Sequence, residues 1–522
     1  MLKYSHKLNL AFVTRLCFII LMVSGCLSGT RAQFAIQSKV EPTHTPPPTR
    51  VISATKSLIV QPTDSPVLED TPETTIVSTV TSPAAIESAP RPPAPALGTA
   101  VQYFATRSGF DKALEIDVRW LRRWYPLSWL AVEGKEGAYR WEALAQLGEE
   151  LLHARAHNIE PIIEIQWTPY WAQKVPGHSC SAIRADKFDA FAQFMEQVVS
   201  RFGTHTPYRV RYWQLGNELD VAPQETSPDS YFGCWGDVND PYYGGEHYAE
   251  MLKVVYPRIK AVDADAQVML GGLLLECDPY TMTVPETCVS TRRLKSGYFL
   301  EGVLKNGGGD YFDIADMHTY AEFRPNLPLR MHSYYSWGEE QGGTGVPEKA
   351  KFMRDVLARY GHGTKPLVLG EAALKCTQPT QACYEAAAAF IPRAFAEAYA
   401  LQLHGAVYYP LVANQAYYAL LKGDLSSRPM YDAFKFMSSQ LRDAQYDQPV
   451  ADYTGVAGYR FVKEDTSALE IVWSADGEDH MLAPPKDFLA AFDKYGQPMK
   501  PVDGQLMVGW SPIYIQFQTP SP

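Results

Sequence analysis

Between about residues 100 and 445, short apolar runs alternate with stretches whose apolar residues recur at helical spacing, and this alternation constrains the fold more than any other feature. The candidate strands are Val101–Phe104, Trp120–Leu127, Pro161–Ile165, Val210–Leu215, Val268–Gly271, Ile314–His318, Leu367–Leu369 and Ala406–Tyr409. Between them lie helix-like segments, among them Trp141–Ala156, Phe188–Phe202, Tyr248–Val262 and Tyr384–Leu403. Short apolar strands separated by amphipathic helices form a parallel sheet. Eight such units predict an α/β chain folded as a (β/α)8 TIM barrel over residues 100–445. Residues 221–246 and 277–300 are long, polar, cysteine-bearing insertions after the fourth and fifth strands. They therefore belong to the C-terminal face, where barrels carry their sites. After about Tyr446 the pattern changes to short alternating strands, Gly458–Val462, Ala468–Trp473, Leu506–Val508 and Ile513–Phe517. The turns Ala475-Asp476-Gly477 and Lys494-Tyr495-Gly496 separate them, and residues 446–522 are predicted as a small antiparallel β domain.

The first hundred residues read differently. Lys3, Lys7 and Arg15 precede the apolar run Leu16 to Val23, too short to span a bilayer unaided. Val23-Ser24-Gly25-Cys26 resembles a bacterial lipobox, which makes residues 1–32 a lipoprotein-type signal segment with Cys26 as the lipidated membrane anchor. The alternative is a plain secretory peptide cut after Ala32. Residues 33–99 are rich in Pro, Thr and Ser and cannot bury enough apolar surface to offset their ordering entropy; they are expected to be a disordered tether. Both readings place the protein outside the cell, at its surface or secreted. The remaining cysteines, Cys180, Cys234, Cys277, Cys288, Cys376 and Cys383, are even in number, as disulfides require. Proximity favours Cys277–Cys288 and Cys376–Cys383, leaving Cys180–Cys234.

Two of the barrel strands end in carboxylates. Tyr212-Trp213-Gln214-Leu215-Gly216-Asn217-Glu218 closes the fourth and Pro366-Leu367-Val368-Leu369-Gly370-Glu371 the seventh. Strands four and seven face each other across the mouth of an eight-stranded barrel. Two carboxyl groups so placed can flank one glycosidic bond, provided that one holds a proton and the other is ionised. The chain is also rich in aromatic residues, with 11 Trp and 31 Tyr, which suit both a core and a cleft for sugar rings.

Other chemistries fit poorly. The net charge of −11 and the absence of a long basic run argue against nucleic acid. His153 and His157 have the i, i+4 spacing of zinc ligands, but Ala-Arg-Ala between them supplies no glutamate, so they are expected on a solvated face. No Cys-x-x-Cys or Gly-x-Ser-x-Gly is present, and Gly342-Gly343-Thr344-Gly345 lacks the lysine of a phosphate loop and reads as a mobile loop.

Several segments, in order over about 100–520, resemble the retaining (β/α)8 glycoside hydrolase superfamily, clan A. The likeness is closest to the family of β-xylosidases and α-iduronidase and to neighbouring cellulase-like families. They are Arg122-Arg123 with Trp129, Glu133 and Gly137-Ala138-Tyr139-Arg140-Trp141; Thr168-Pro169-Tyr170-Trp171; Asn217-Glu218; His318-Thr319-Tyr320; Glu371; and Leu420-Leu421 through Arg428-Pro429 to Ala433-Phe434. Pro512-Ile513-Tyr514-Ile515 resembles the last strand of an accessory β domain. The resemblance implies a glycosidase acting on poly- or oligosaccharides, with Glu218 as general acid/base and Glu371 as nucleophile. Asn217 would bind the sugar 2-OH, Tyr320 the nucleophile, and His318 would set the surroundings of the acid/base. One of Arg122 and Arg123 would point inward near Glu371; alternation forbids both and leaves open which. Trp167, Trp171 and Tyr408 are candidate sugar platforms, although the superfamily usually has Trp where this chain has Tyr408-Tyr409. No metal or other cofactor is implied. The rival readings are a non-catalytic carbohydrate-binding surface protein on the same barrel and a transglycosylase with the same residues.

Overall fold

The computed structural model describes residues 95–280, 295–333, 337, 342–465 and 467–518, all within one compact unit. The signal-like segment, Cys26, nearly all of the Pro/Thr/Ser-rich stretch and Cys288 lie outside the described residues. No helix among the described residues is long and apolar enough to cross a membrane.

Eight parallel strands form the barrel: β1 Ala96–Val101, β2 Trp120–Ser128, β3 Glu160–Gln166, β4 Tyr212–Asn217, β5 Gln267–Gly272, β6 Ala315–Phe323, β7 Leu367–Lys375 and β8 Gly405–Tyr408. Each pairs with its neighbour in sequence, and β1 pairs with β8. The seam between β5 and β6 is the sparsest, closed by the isolated bridges Met269–Ile314 and Leu273–Met317. A short antiparallel strand, Met331–Ser333, extends the end of β6. Seven of the eight expected strands overlap the observed ones with shifted ends. The first is displaced: β1 ends where the expected Val101–Phe104 begins, so Ala96–Thr99 belong to the barrel and not to the tether. Its small residues carry no hydrophobic pattern. They are required because a Cβ at Gly98 would come within 2.8 Å of the Trp120 carbonyl.

Inside the barrel the side chains stack in layers. Ala100, Trp120, Ile162, Tyr212, Met269, Ile314, Val368 and Val407, one from each strand or its edge, form an apolar floor. Two residues further along four of the strands, strand periodicity puts Arg122, Glu164, Gln214 and Asp316 in a polar layer. Glycines leave room for it and for the layer above. A Cβ at Gly370 would lie 2.3 Å from Asp316 Oδ1, and one at Gly272 2.0 Å from His318 Nε2.

Helices cover the outside. Phe188–Phe202 forms where its spacing predicts it, with Phe191, Phe194, Met195, Val198 and Val199 buried on one face. Gly342–Gly345 forms a loop packed into the fold. Thr344 is buried and bonded to Glu397, and Gly345, in the left-handed region, caps the helix Val346–Arg359. His153 is only half-exposed, its ring packed at a tilt against Phe110 and 3.1 Å from the Phe104 carbonyl. The C-terminal strands form a six-stranded antiparallel sheet, Ala444–Pro449, Val456–Lys463, Ser467–Ser474, Ile513–Gln518, Phe488–Asp493 and Pro498–Met499 in spatial order, with a separate pair, His480–Leu482 and Leu506–Val508. Phe461 and Trp473 join this sheet to Tyr399 and Arg393 of the barrel helix Gln381–Ala400. Disulfides link Cys180 to Cys234 and Cys376 to Cys383.

Candidate active site

Glu218 is the first residue after β4 and lies in the left-handed region, with φ 49°. That conformation is unfavourable for a residue with a Cβ and recurs where a side chain must be aimed at a site. Glu371 stands on β7 beside a register shift in the ladder with β6, opposite His318. Both carboxyl groups are buried. One oxygen from each, together with a His318 ring nitrogen, lie within 4.8 Å of one another. Among the described residues these three could surround a cation, but both Glu371 oxygens are already engaged.

The two acids have different surroundings. Arg122 Nη1 donates to Glu371 Oε1 at 2.6 Å, and the Tyr320 hydroxyl donates to Oε2. Two donors, one of them cationic, suit an ionised carboxylate. Arg122 is fully buried. Its Nε donates to Gln214 Oε1 at 2.7 Å, and its Nη2 to Glu164 Oε2 at 2.9 Å and Asn217 Oδ1 at 2.8 Å. Burial pulls down the affinity of Arg122 for its proton, but Glu371, Glu164 and Asp316 outweigh that and leave it raised. Glu218, by contrast, is held above the usual carboxylate range by burial, against the opposing pull of Lys375, Arg122 and Lys349. Its neighbour His318, whose Nδ1 lies 3.2 Å from Glu218 Oε1, is pushed down to about 3 by burial and is therefore neutral. A neutral ring accepts from a protonated Glu218 or donates to an ionised one, according to tautomer.

Of the adjacent arginines, Arg122 points inward. Arg123 points outward, pairing with Glu150 at 2.8 Å and stacking over Tyr103 and Tyr125. Asn217, His318 and Tyr320 gather around the acid pair. Trp167 packs on Tyr231 and Tyr125, and its Nε1 donates to the Ser230 carbonyl at 3.0 Å. The Tyr231 carbonyl in turn accepts from Asn217 at 3.4 Å, so Trp167 adjoins the loop that follows Glu218. Trp171 lies elsewhere: it packs on Trp129, under Lys187, and donates to the Glu133 carbonyl at 2.9 Å. Tyr408 has no exposed face for a sugar. Its ring is wholly buried against Phe434 and its hydroxyl donates to the Tyr418 carbonyl at 2.7 Å. Strand alternation turns Tyr409 inward instead, edge-on to Tyr320 at 6.4 Å.

Sequence reasoning passed over Glu164, Gln214 and Asp316, which hold Arg122 directly or through Gln214. A signal for them existed, since each interrupts an apolar strand run with a polar residue. Lys375 stands at 4.1 Å over the Tyr320 ring, its charge opposed by burial and favoured by Glu218 and Glu371. It lies on the same face of β7 as Glu371, four residues on.

The parallel barrel is a fold that this chain shares with solved glycoside hydrolases. A family 39 glycoside hydrolase from the gut symbiont Bacteroides cellulosilyticus WH2 superposes with a TM-score of 0.59 at 18% identity, over 81% of each chain. A family 39 β-xylosidase from Caulobacter crescentus gives 0.50 at 15% identity, over 83% of this chain and 98% of that one. A family 30 endoxylanase from Clostridium papyrosolvens C71 gives 0.50 at 9% identity, over 82% and 98%. These solved structures share the fold. No protein-family model matches the chain, nor does any curated protein sequence.

Proposed function

We propose that the protein is an exported glycoside hydrolase that cleaves O-glycosidic bonds of poly- or oligosaccharides with retention of configuration. The observation that carries this reading is the approach of the Glu218 and Glu371 oxygens to within 4.8 Å. Retaining enzymes hold their carboxyl groups about 5–5.5 Å apart, whereas inverting ones need about 6.5–9.5 Å to admit water. The unlike surroundings of the two acids support the assignment of roles.

Glu371 attacks the anomeric carbon while Glu218 gives its proton to the departing glycosidic oxygen, leaving a covalent glycosyl–enzyme ester and a free aglycone. Glu218, now ionised, takes a proton from water; the hydroxide oxygen bonds to the anomeric carbon and Glu371 leaves as a carboxylate. Asn217, oriented by Arg122, is placed for the sugar 2-OH, and Trp167 and Tyr409 are the candidate walls for the rings. This chemistry uses two carboxyl groups and no metal or other cofactor. Export rests on the signal-like segment and the disulfides, and anchoring on Cys26; loss of membrane association in C26S checks the anchor.

The reading is tested by incubating the protein with a panel of aryl glycosides and polysaccharides and following any hit by anomer-resolved NMR. Retained configuration in the first-formed product, abolished by E371Q, is expected. Inversion, or wild-type protein inert on the whole panel, overturns it.

A further inference from the structure

Lys349, in the first turn of the helix Val346–Arg359, is fully buried, an unusual place for a lysine unless its charge is used or compensated. Its Nζ donates to the carbonyl of Leu274 at 2.6 Å and to the carbonyl of His318 at 2.7 Å. Leu274 lies just beyond β5 and His318 lies in β6, so one ammonium group bridges the two sides of the barrel's sparsest seam. Leu273 next to it pairs with Met317, next to His318, and the His318 amide donates to the Leu273 carbonyl at 2.9 Å. The seam matters because His318 is the residue whose ring meets Glu218.

The second relationship is electrostatic. The Lys349 charge acts on Glu218, on Asp220 and on Glu276, and is opposed by Lys375. Asp220 accepts from the amides of Leu274 and Leu275 at 2.9 and 2.7 Å, so acid and ammonium grip the same turn from its two ends. The groups that act on Glu218 are therefore His318 and Tyr320 from β6, Lys375 and Glu371 from β7, Arg122 from β2, Glu164 from β3, Tyr409 and Tyr418 beyond β8, and Lys349 from the helix beyond.

We infer that Lys349 is a positioning residue for Glu218, fixing the backbone of His318 across the β5–β6 seam and supplying a buried positive charge behind the acid/base. The inference rests on Glu218 serving as the acid/base. A cation close to a carboxyl group favours its ionised form, so Lys349 tempers the rise that burial imposes on Glu218. It keeps a buried acid able to let its proton go. Burial brings Lys349 itself down to about 7, so the support is strongest on the acid side of neutrality and weakens above it.

The test compares K349M with K349R and wild type on two aryl glycosides of one sugar, one with a good leaving group and one with a poor leaving group, across pH. Circular dichroism establishes first that each variant is folded. If K349M does not fold, K349Q, which keeps an amide donor but no charge, replaces it. Removing the charge should move the alkaline limb of kcat/KM upward by roughly half a pH unit or more, with a loss of about two- to threefold or more confined to the poor leaving group. K349R should keep the limb near its wild-type position. A folded, neutral variant whose limb stays in place, or which loses both substrates equally, overturns the inference. Wild-type protein inactive on every glycoside overturns the underlying reading instead.

Discussion

Arg122 and Glu371 form a fully buried ion pair, 2.6 Å from Nη1 to Oε1, and the same guanidinium holds Asn217 and Glu164. One side chain thus orients the candidate nucleophile and the candidate 2-OH ligand together. Removing it leaves Glu371 buried without its cation. R122M is expected to destabilise the fold by about 3–5 kcal/mol, the usual penalty for orphaning a buried charge, and to abolish turnover. Urea unfolding followed by tryptophan fluorescence measures the first effect. A variant as stable as wild type would remove Arg122 from the centre of the polar layer.

Under the proposed mechanism Glu218 sets the alkaline limb. Burial holds its proton above the usual carboxylate range, and bond cleavage needs that proton on the acid. As pH rises through the Glu218 titration, kcat/KM therefore falls for substrates whose leaving group needs protonation. E218Q should slow a poor leaving group by about 10²–10⁴-fold, while a leaving group that departs as a stable anion loses far less in the first step. Burst kinetics on the activated substrate follow directly, because the second step still needs a base. An equal loss on both substrates would dissociate Glu218 from leaving-group protonation.

Adjacent tyrosines have opposite fates. Tyr408 is core and Tyr409 faces the site, because successive strand residues alternate. Y408F is expected to cost about 1 kcal/mol, the worth of its bond to the Tyr418 carbonyl, and to leave kcat/KM nearly unchanged. Y409A should lower kcat/KM by about tenfold or more, equivalent to about 1.4 kcal/mol of transition-state binding, and lower Tm as well, because Tyr409 packs against the barrel core. Steady-state kinetics separate the two, beside thermal melts that measure each stability cost, and the reverse kinetic pattern would return Tyr408 to the cleft.

The same alternation explains what was legible beforehand. Strand-end acids, the Asn217-Glu218 pair and the helical spacing of Phe188–Phe202 are local patterns, and the barrel and the acid pair could be read from them. The facing of Arg122 against Arg123 depends on the strand's rotation, which a charged pair on an apolar strand does not reveal. Tyr408 was misplaced for the same reason. β1 was displaced because its fit is steric, small residues against Trp120, and leaves no hydrophobic period. Lys349 was invisible because it lies one turn into a helix, and only the closed barrel brings it under His318.

Asp316 makes the stability of the barrel depend on pH. Burial pushes its carboxyl up to about 8, with Arg122 opposing, while Gln214 Nε2 donates to Oδ2 at 3.0 Å. In the unfolded chain an aspartate titrates near about 3.9. Between those values the folded state holds a proton that the unfolded state releases, so the contribution is fully present below about 4 and is lost as pH rises through about 8. Glu164, also pushed up to about 8 by burial, adds in the same direction. Tm should therefore decline from pH about 5 to about 8. D316N, which keeps the shape and an acceptor for Gln214 but cannot ionise, should flatten part of that decline and exceed wild type in relative stability at the alkaline end. Differential scanning calorimetry of both proteins at matched ionic strength decides the matter. Parallel Tm curves across the range would mean that Asp316 is ionised in the folded barrel and that Arg122 outweighs the burial.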